Sequence, residues 1–417
     1  MRAVLHGTLG GSHTPREGLA PAKPSLPHAI APVAQAAPNR WILSPLSDLI
    51  WFQGSVLAGV ALLVFFVLAP PIAAAPNAAQ PALLALLLWG ILFDGTHVVG
   101  TYARSYFAPE PGARAGLPGV ASLALFAIGP AAAVADWAAG GAVFPYFLQA
   151  ALLWAYYHLV RQHWGFVALY RRRAPEDPTP ARLDEAFLWL GCLYPFVRFS
   201  LTPAFATTGL PQLLPAAAMA PVRHVLDGVV ALAAVALAAV WIKRGGARAL
   251  GPKHAFLAIV IAFHLATFAL LSNLLEITAT LTIFHNLQYH RIVWQHEAGK
   301  GRRPLGGLVP YLAAGLALGV VWYGPRVMGA HLAGPGLLRN VILGVAWGVA
   351  FHHYLVDAKI WRLRRAPAVA QAIDMGGDRV GAPTLPLPNP PAMLRGEQSS
   401  PASHAIDGGA VRPATAR

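Results

Sequence analysis

Four short stretches of this sequence gather most of its metal-binding side chains. They read Asp94-Gly95-Thr96-His97, His158-Leu159-Val160-Arg161-Gln162-His163, His285-Asn286-Leu287-Gln288-Tyr289-His290, and His352-His353-Tyr354-Leu355-Val356-Asp357. Neutral imidazole is the usual nitrogen ligand for iron, copper and zinc, and it enters an apolar site without bringing a charge. On a helix, Asp94 and His97 (i, i+3) share a face, as do His353 and Asp357 (i, i+4). Each carboxylate is therefore a candidate ligand, or a group that orients the neighbouring ring. The other two pairs, His158/His163 and His285/His290, are five apart and so about 140° apart around an ideal helix. Both members of such a pair reach one site only if the helix loosens or bulges, or if two ions lie on either side. Tyr289, between two of the histidines, is a candidate hydrogen-bond donor to bound oxygen.

Each stretch closes an apolar run of the length that crosses a bilayer as a helix. The chain has 417 residues, 56% of them hydrophobic and only 12% charged, with a mean hydropathy of +0.52. That is more apolar surface than one soluble core of this length hides. From Ile50 onward about ten such runs follow one another, centred on Leu62, Leu88, Ala124, Leu153, Leu190, Ala234, Ile261, Thr280, Ala314 and Val345. Pro130 interrupts the third, and Arg198 and Pro203 shorten the fifth. The expected fold is an all-α, polytopic transmembrane bundle over residues 49–365. A disordered arm over 1–48 and a disordered tail over 366–417 flank it, both rich in Pro, Ala, Gly and Ser.

The formal charge of +14 is placed unevenly. Arg104 and Arg114 follow the second run, Arg171-Arg172-Arg173 the fourth, Lys243-Arg244 the sixth, Lys300-Arg302-Arg303 the eighth, and Arg362-Arg364-Arg365 the tenth. By the positive-inside tendency, even-numbered runs end in the cytoplasm and both termini are cytoplasmic, in a bacterial-type inner or plasma membrane. This accounts for the basic charge without a nucleic-acid partner. Cys192 is the only cysteine, which excludes a disulfide framework or a cysteine zinc site within the chain. The four histidine stretches all close even-numbered runs, so an antiparallel bundle brings them into one layer.

The arrangement resembles the integral-membrane histidine-box di-iron enzymes: fatty acid desaturases, alkane hydroxylases and lipid hydroxylases. Their mark is HxxxxH or HxxxH followed by HxxHH-type boxes at the cytoplasmic ends of membrane helices. His158/His163 and His285/His290 match the HxxxxH element and His352-His353 supplies an HH pair; no HxxHH is present, and ten runs exceed the four to six spans usual there. The resemblance implies a non-haem centre of two irons, with His97, His158, His163, His285, His290, His352 and His353 as ligands and Asp94 and Asp357 beside them. It implies oxidation of a lipid or other hydrophobic substrate, with electrons from a partner protein.

Two other classes fit the histidines less well. A haem-carrying electron-transfer protein would use them as axial ligands, with Gly95, Gly100 and Gly165 making room for the porphyrin. A proton- or metal-coupled transporter would spread its ionisable groups along a path through the membrane. Here they crowd at one end. His264, alone in the seventh run, reads as a hydrogen-bonded helix contact, His296 as an interfacial residue outside the ligand set, and His331 as an ordinary loop residue.

Overall fold

The computed structural model describes residues 40–69, 80–108, 117–174, 176–329, 333–361 and 367–374. Among them there is no strand. Each of the ten apolar runs is a helix: α1 Pro45–Leu68, α2 Pro81–Arg104, α3 Val120–Ala138, α4 Phe144–Arg173, α5 Ala181–Ser200, α6 Ala216–Lys243, α7 Pro252–Leu270, α8 Leu274–Ala298, α9 Leu308–Arg326 and α10 Leu337–Ile360. Seven of them, all but α4, α5 and α8, are long and apolar enough to cross a membrane. In α8 the difference has a physical reason. Its interior-facing positions are polar, with Thr280, His285, Asn286, Gln288, Gln295, His296 and Glu297 all buried, so the run loses hydropathy to the groups the centre of the bundle requires.

Helix α8 is the axis. It packs against α1, α2, α4 and α7, and its start is capped by Asn273, whose side chain accepts the N–H groups of Leu275 and Glu276. Glycine lets two helix pairs approach closely. An added Cβ on Gly129 of α3 would lie 2.4 Å from the Gly344 backbone of α10, and one on Gly95 of α2 would lie 2.3 Å from Gly319 of α9. Helix α3 runs through Pro130 without a break, while α5 contains Pro195 and stops at Ser200, before Pro203. Helix α6 lies outermost, packed on α5, and Leu232 and Val235 are among its many exposed apolar side chains.

The basic helix ends meet at one end of the bundle. Arg104 at the end of α2 approaches His296 near the end of α8 and lies 4.0 Å over the ring of Trp361, just past α10. Arg173 at the end of α4 donates to the carbonyl of Ile42, ahead of α1, and Lys253 at the start of α7 pairs with Asp177, beyond α4.

The described structure extends past both expected tail boundaries. Order begins ahead of residue 49, because the buried Asp48 carboxylate accepts the Ile42 and Leu43 N–H groups at 2.7 and 3.0 Å and draws those two side chains into the core. Beyond residue 366, the short helix α11, Pro367–Asp374, buries Ala372 and Ile373 against the end of α8. The described residues form one compact unit; residues 1–39 and 375–417, where the rest of both expected tails falls, lie outside the described residues.

Candidate metal centre

The four helices carrying the histidine stretches come together, α2 and α4 each packing against both α8 and α10. Each turns one imidazole into a common space: His97, His158, His285 and His353. The His97 ring lies 4.7 Å from that of His353 and 5.4 Å from that of His285, and the His158 ring lies 5.1 Å from His353 and 5.4 Å from His285. Asp357, one turn beyond His353, adds a carboxylate. Ligand atoms of His158, His353 and Asp357 all fall within 4.8 Å of one another.

His97 Nδ1 lies 2.6 Å from the carbonyl of Asp94, which only accepts, so Nδ1 is protonated and the neutral ring offers Nε2. The Thr101 hydroxyl has one proton and lies 2.8 Å from Asp357 Oδ1, 2.8 Å from His353 Nδ1 and 2.7 Å from the Tyr289 hydroxyl, so the direction of that proton sets the His353 tautomer. His97 Nε2 and His353 Nε2 face each other at 3.1 Å. Protonated on Nε2, His353 donates to His97; protonated on Nδ1, it joins His97 in presenting a lone pair to a cation. Nitrogens of two neighbouring ligands on one ion, each bound at ~2.1 Å, stand roughly 3 Å apart when the angle at the metal is near 90°. Nearby, His158 Nε2 and His285 Nδ1 are buried without a hydrogen-bond partner. A buried polar atom left unpaired costs about 1–3 kcal/mol. Asp357 Oδ2 lies 3.9 Å from His158 Nε2 and 3.8 Å from His353 Nε2, aimed at the same space. Four nitrogens and a carboxylate oxygen are a donor set that suits a divalent transition metal.

A surrounding layer holds these ligands. The Tyr289 hydroxyl donates to Asp357 Oδ1 at 2.7 Å and receives the indole N–H of Trp361 at 3.3 Å. Asp94 lies beside the His97 ring, with its Oδ1 3.6 Å from Nδ1, and accepts a short hydrogen bond from Tyr323 of α9 and a longer one from Asn286. Tyr354 stacks on His158 with ring centroids 4.3 Å apart.

The remaining expected residues do not join this space. His163 is wholly buried but faces His264, 5.6 Å away between centroids, and Phe284. His290 lies between Thr96 and the Tyr311 hydroxyl, at 3.1 and 2.7 Å. The reason is the five-residue spacing. Helices α4 and α8 stay α-helical through both pairs, so the second ring of each points to another face. The π turns that would have changed this occur in α1, α2 and α9 instead; the one over Gly90–Asp94 immediately precedes His97. His352, adjacent to His353, points to Tyr102 and Tyr106. His264 places Nδ1 on the Val260 carbonyl of its own helix and leaves Nε2 without a hydrogen-bond partner beside His163, and His296 pairs with Glu297 at 2.8 Å. His331 lies outside the described residues.

Sequence reasoning missed Thr101, Tyr323 and Tyr354. Thr101 was findable, since it stands four residues after His97 and shares its face. Tyr323 carried no signal, because only the packing of α9 on α2 brings it to Asp94.

The glycines set aside for a porphyrin have other neighbours or none. Gly95 packs on Gly319, Gly100 on Tyr311 and Tyr289, and Gly165 faces open space. The chain matches no protein-family model, no curated protein and no solved structure. The geometry of the site is therefore what supports a function.

Proposed function

We propose that this chain is a multi-pass membrane protein whose α2, α4, α8 and α10 together hold a non-haem metal ion, with iron as the metal, and that it oxidises a lipid or another hydrophobic substrate. The observation that carries the reading is the convergence of four imidazoles from four helices with Asp357, in which His158 Nε2 and His285 Nδ1 have no hydrogen-bond partner and His97 Nε2 and His353 Nε2 face each other at 3.1 Å. The ligands are then His97, His158, His285, His353 and Asp357. This set suffices for one ion. A second iron, as the histidine-box resemblance implies, has no comparable ligand group among the described residues. Rings packed 4.7–5.4 Å apart favour an ion over a porphyrin.

Bound iron supplies the one-electron chemistry that unactivated C–H or C=C bonds require and that side chains lack. The chain's own groups position it. The Asp94 carbonyl holds His97 in the tautomer that offers Nε2, Thr101 orients the His353 ring at Nδ1, and Thr101 and Tyr289 fix Asp357 Oδ1 so that Oδ2 faces the site. Tyr354 and the surrounding apolar helices keep bulk water from this layer, and a substrate soluble in the bilayer arrives laterally between helices. Tyr289, hydrogen-bonded to a ligand, is a positioning residue in this reading. The electron donor is a separate protein.

The membrane placement rests on the seven apolar helices and on the gathering of basic helix ends at one face. With all ten helices spanning, both termini lie on that basic, cytoplasmic side. A reporter active only after export, fused after Asp374, should stay silent; an active fusion would reverse the orientation.

The test of the metal is elemental analysis with an optical spectrum of the detergent-purified chain. About one iron per chain and no Soret band is the expected result. A metal-free protein, or a haem spectrum, would overturn the proposal.

A further inference from the structure

A second concave site lies away from the histidines, at the basic end of the bundle where α4 and α6 finish. It encloses about 440 Å³, and Arg40, Lys243, Arg244 and Arg248 line it together with Glu176 and Asp177. Both acids are already engaged. Glu176 accepts from Arg40 at 3.1 Å, and Asp177 is held by Lys253 at 2.5 Å in a buried cluster with Asp184 and Arg171. Lys243, Arg244 and Arg248 are exposed and form no ion pair among the described residues. Three cations therefore face one cavity with no carboxylate left to balance them.

The backbone builds this shape. Gly245 takes a left-handed conformation, φ +78°, that ends α6. The 3₁₀ turn Gly246–Ala249 follows and brings Arg248 round to the cavity lined by Arg244. Gly246 is held against the Trp241 indole, where a Cβ would lie 2.2 Å from Nε1. The cations also stand where an apolar surface begins: Ile242 and Leu250, 61% and 59% exposed, flank the turn, and the outer face of α6 continues from there. Positive charge above an exposed apolar helix matches an amphiphile with an anionic head and acyl tails.

We infer that this pocket binds the phosphate headgroup of an anionic membrane lipid, with the acyl chains laid along α6. The inference rests on the membrane placement of α6 and is independent of the metal.

Native mass spectrometry of the detergent-solubilised chain titrated with phosphatidylglycerol tests it, with phosphatidylcholine as the neutral comparison. The parent should hold phosphatidylglycerol selectively. Replacing Lys243, Arg244 and Arg248 together by Ala should weaken that binding roughly a hundredfold, at about a factor of five per cation. The single variant Arg248→Glu, on an exposed turn, should weaken it in the same direction if the triple variant does not fold. Arg339→Ala, at the start of α10, should leave it unchanged. Equal binding of phosphatidylglycerol by parent and charge variants, or equal affinity for phosphatidylcholine, would overturn the inference. Displacement of the lipid by millimolar inorganic phosphate would reassign the pocket to a soluble anion. Extraction of the chain from membranes by alkaline carbonate would instead refute the membrane placement.

Discussion

His97 and His353 stand 256 positions apart in the chain, yet their Nε2 atoms face each other at 3.1 Å, with His97 Nδ1 on the Asp94 carbonyl and His353 Nδ1 at the Thr101 hydroxyl. Each ring is held from behind by a group of α2, the Asp94 carbonyl in one case and the Thr101 hydroxyl in the other. Those two anchors lie seven residues apart, about two helical turns, on one face of α2. That one helix therefore orients both rings.

The histidines divide into two groups by metal retention. His97→Ala, His158→Ala, His285→Ala and His353→Ala should each lower metal affinity by tenfold or more, while His290→Ala and His352→Ala retain it. Elemental analysis of the six purified variants, read beside their circular dichroism, is the check. Loss from all six would indicate general misfolding, and retention in the His353 variant would reject the site.

The carboxylate's supports should matter without being ligands. Thr101→Val and Tyr289→Phe each remove a hydrogen bond to Asp357, worth about 1.5–3 kcal/mol for a bond to a charged group. Both variants should still bind metal, more weakly than the parent. Because both bonds end on the same Oδ1 atom, the double variant should lose less than the sum of the two. Strict additivity in metal titrations would show that the two side chains act apart.

Close helix contact is required to place α10. Gly344→Val puts a branched side chain against the Gly129 backbone, where even a Cβ would stand 2.4 Å away. Overpacking of this kind costs about 1–3 kcal/mol. The variant should show a lower thermal transition in detergent and reduced metal content together, since α10 carries both His353 and Asp357. An unchanged transition would mean that α3 and α10 separate at little cost.

The Asp177–Lys253 pair gives an acid limit. Burial alone would raise the Asp177 carboxyl, but the Lys253 ammonium and the Thr179 hydroxyl and N–H outweigh it and hold the group below its ordinary value of 3.8. A depressed carboxyl contributes stability above its unfolded value and loses it as pH falls through the folded one. Thermal stability should therefore decline from about pH 4 downward, and Asp177→Asn should show a shallower decline over that window. Parallel pH profiles for parent and variant would assign the acid sensitivity to other groups.

The sequence by itself determined the helices and which four of them carry the histidine stretches. Ten apolar runs are ten helices, because burying or facing lipid with a long apolar run leaves the backbone to satisfy its own hydrogen bonds, and a helix does so within one segment. The four stretches come together because α2 and α4 each pack against both α8 and α10. The sequence also carried the i, i+4 relation of His353 to Asp357, and of His97 to Thr101, since helical periodicity is local.

Which histidine of each pair faces inward was decided only by tertiary structure. His158 and His163 have the same residue type and neighbourhood, and their 140° separation means that packing exposes one to the shared space and turns the other toward His264. The same holds for His285 over His290, and for His353 over the adjacent His352. The rotation of a helix about its axis follows from which side chains interlock with its neighbours, among them Gly95 on Gly319 and Gly129 on Gly344. Those contacts join residues more than two hundred positions apart, and spacing along the chain carries no record of them.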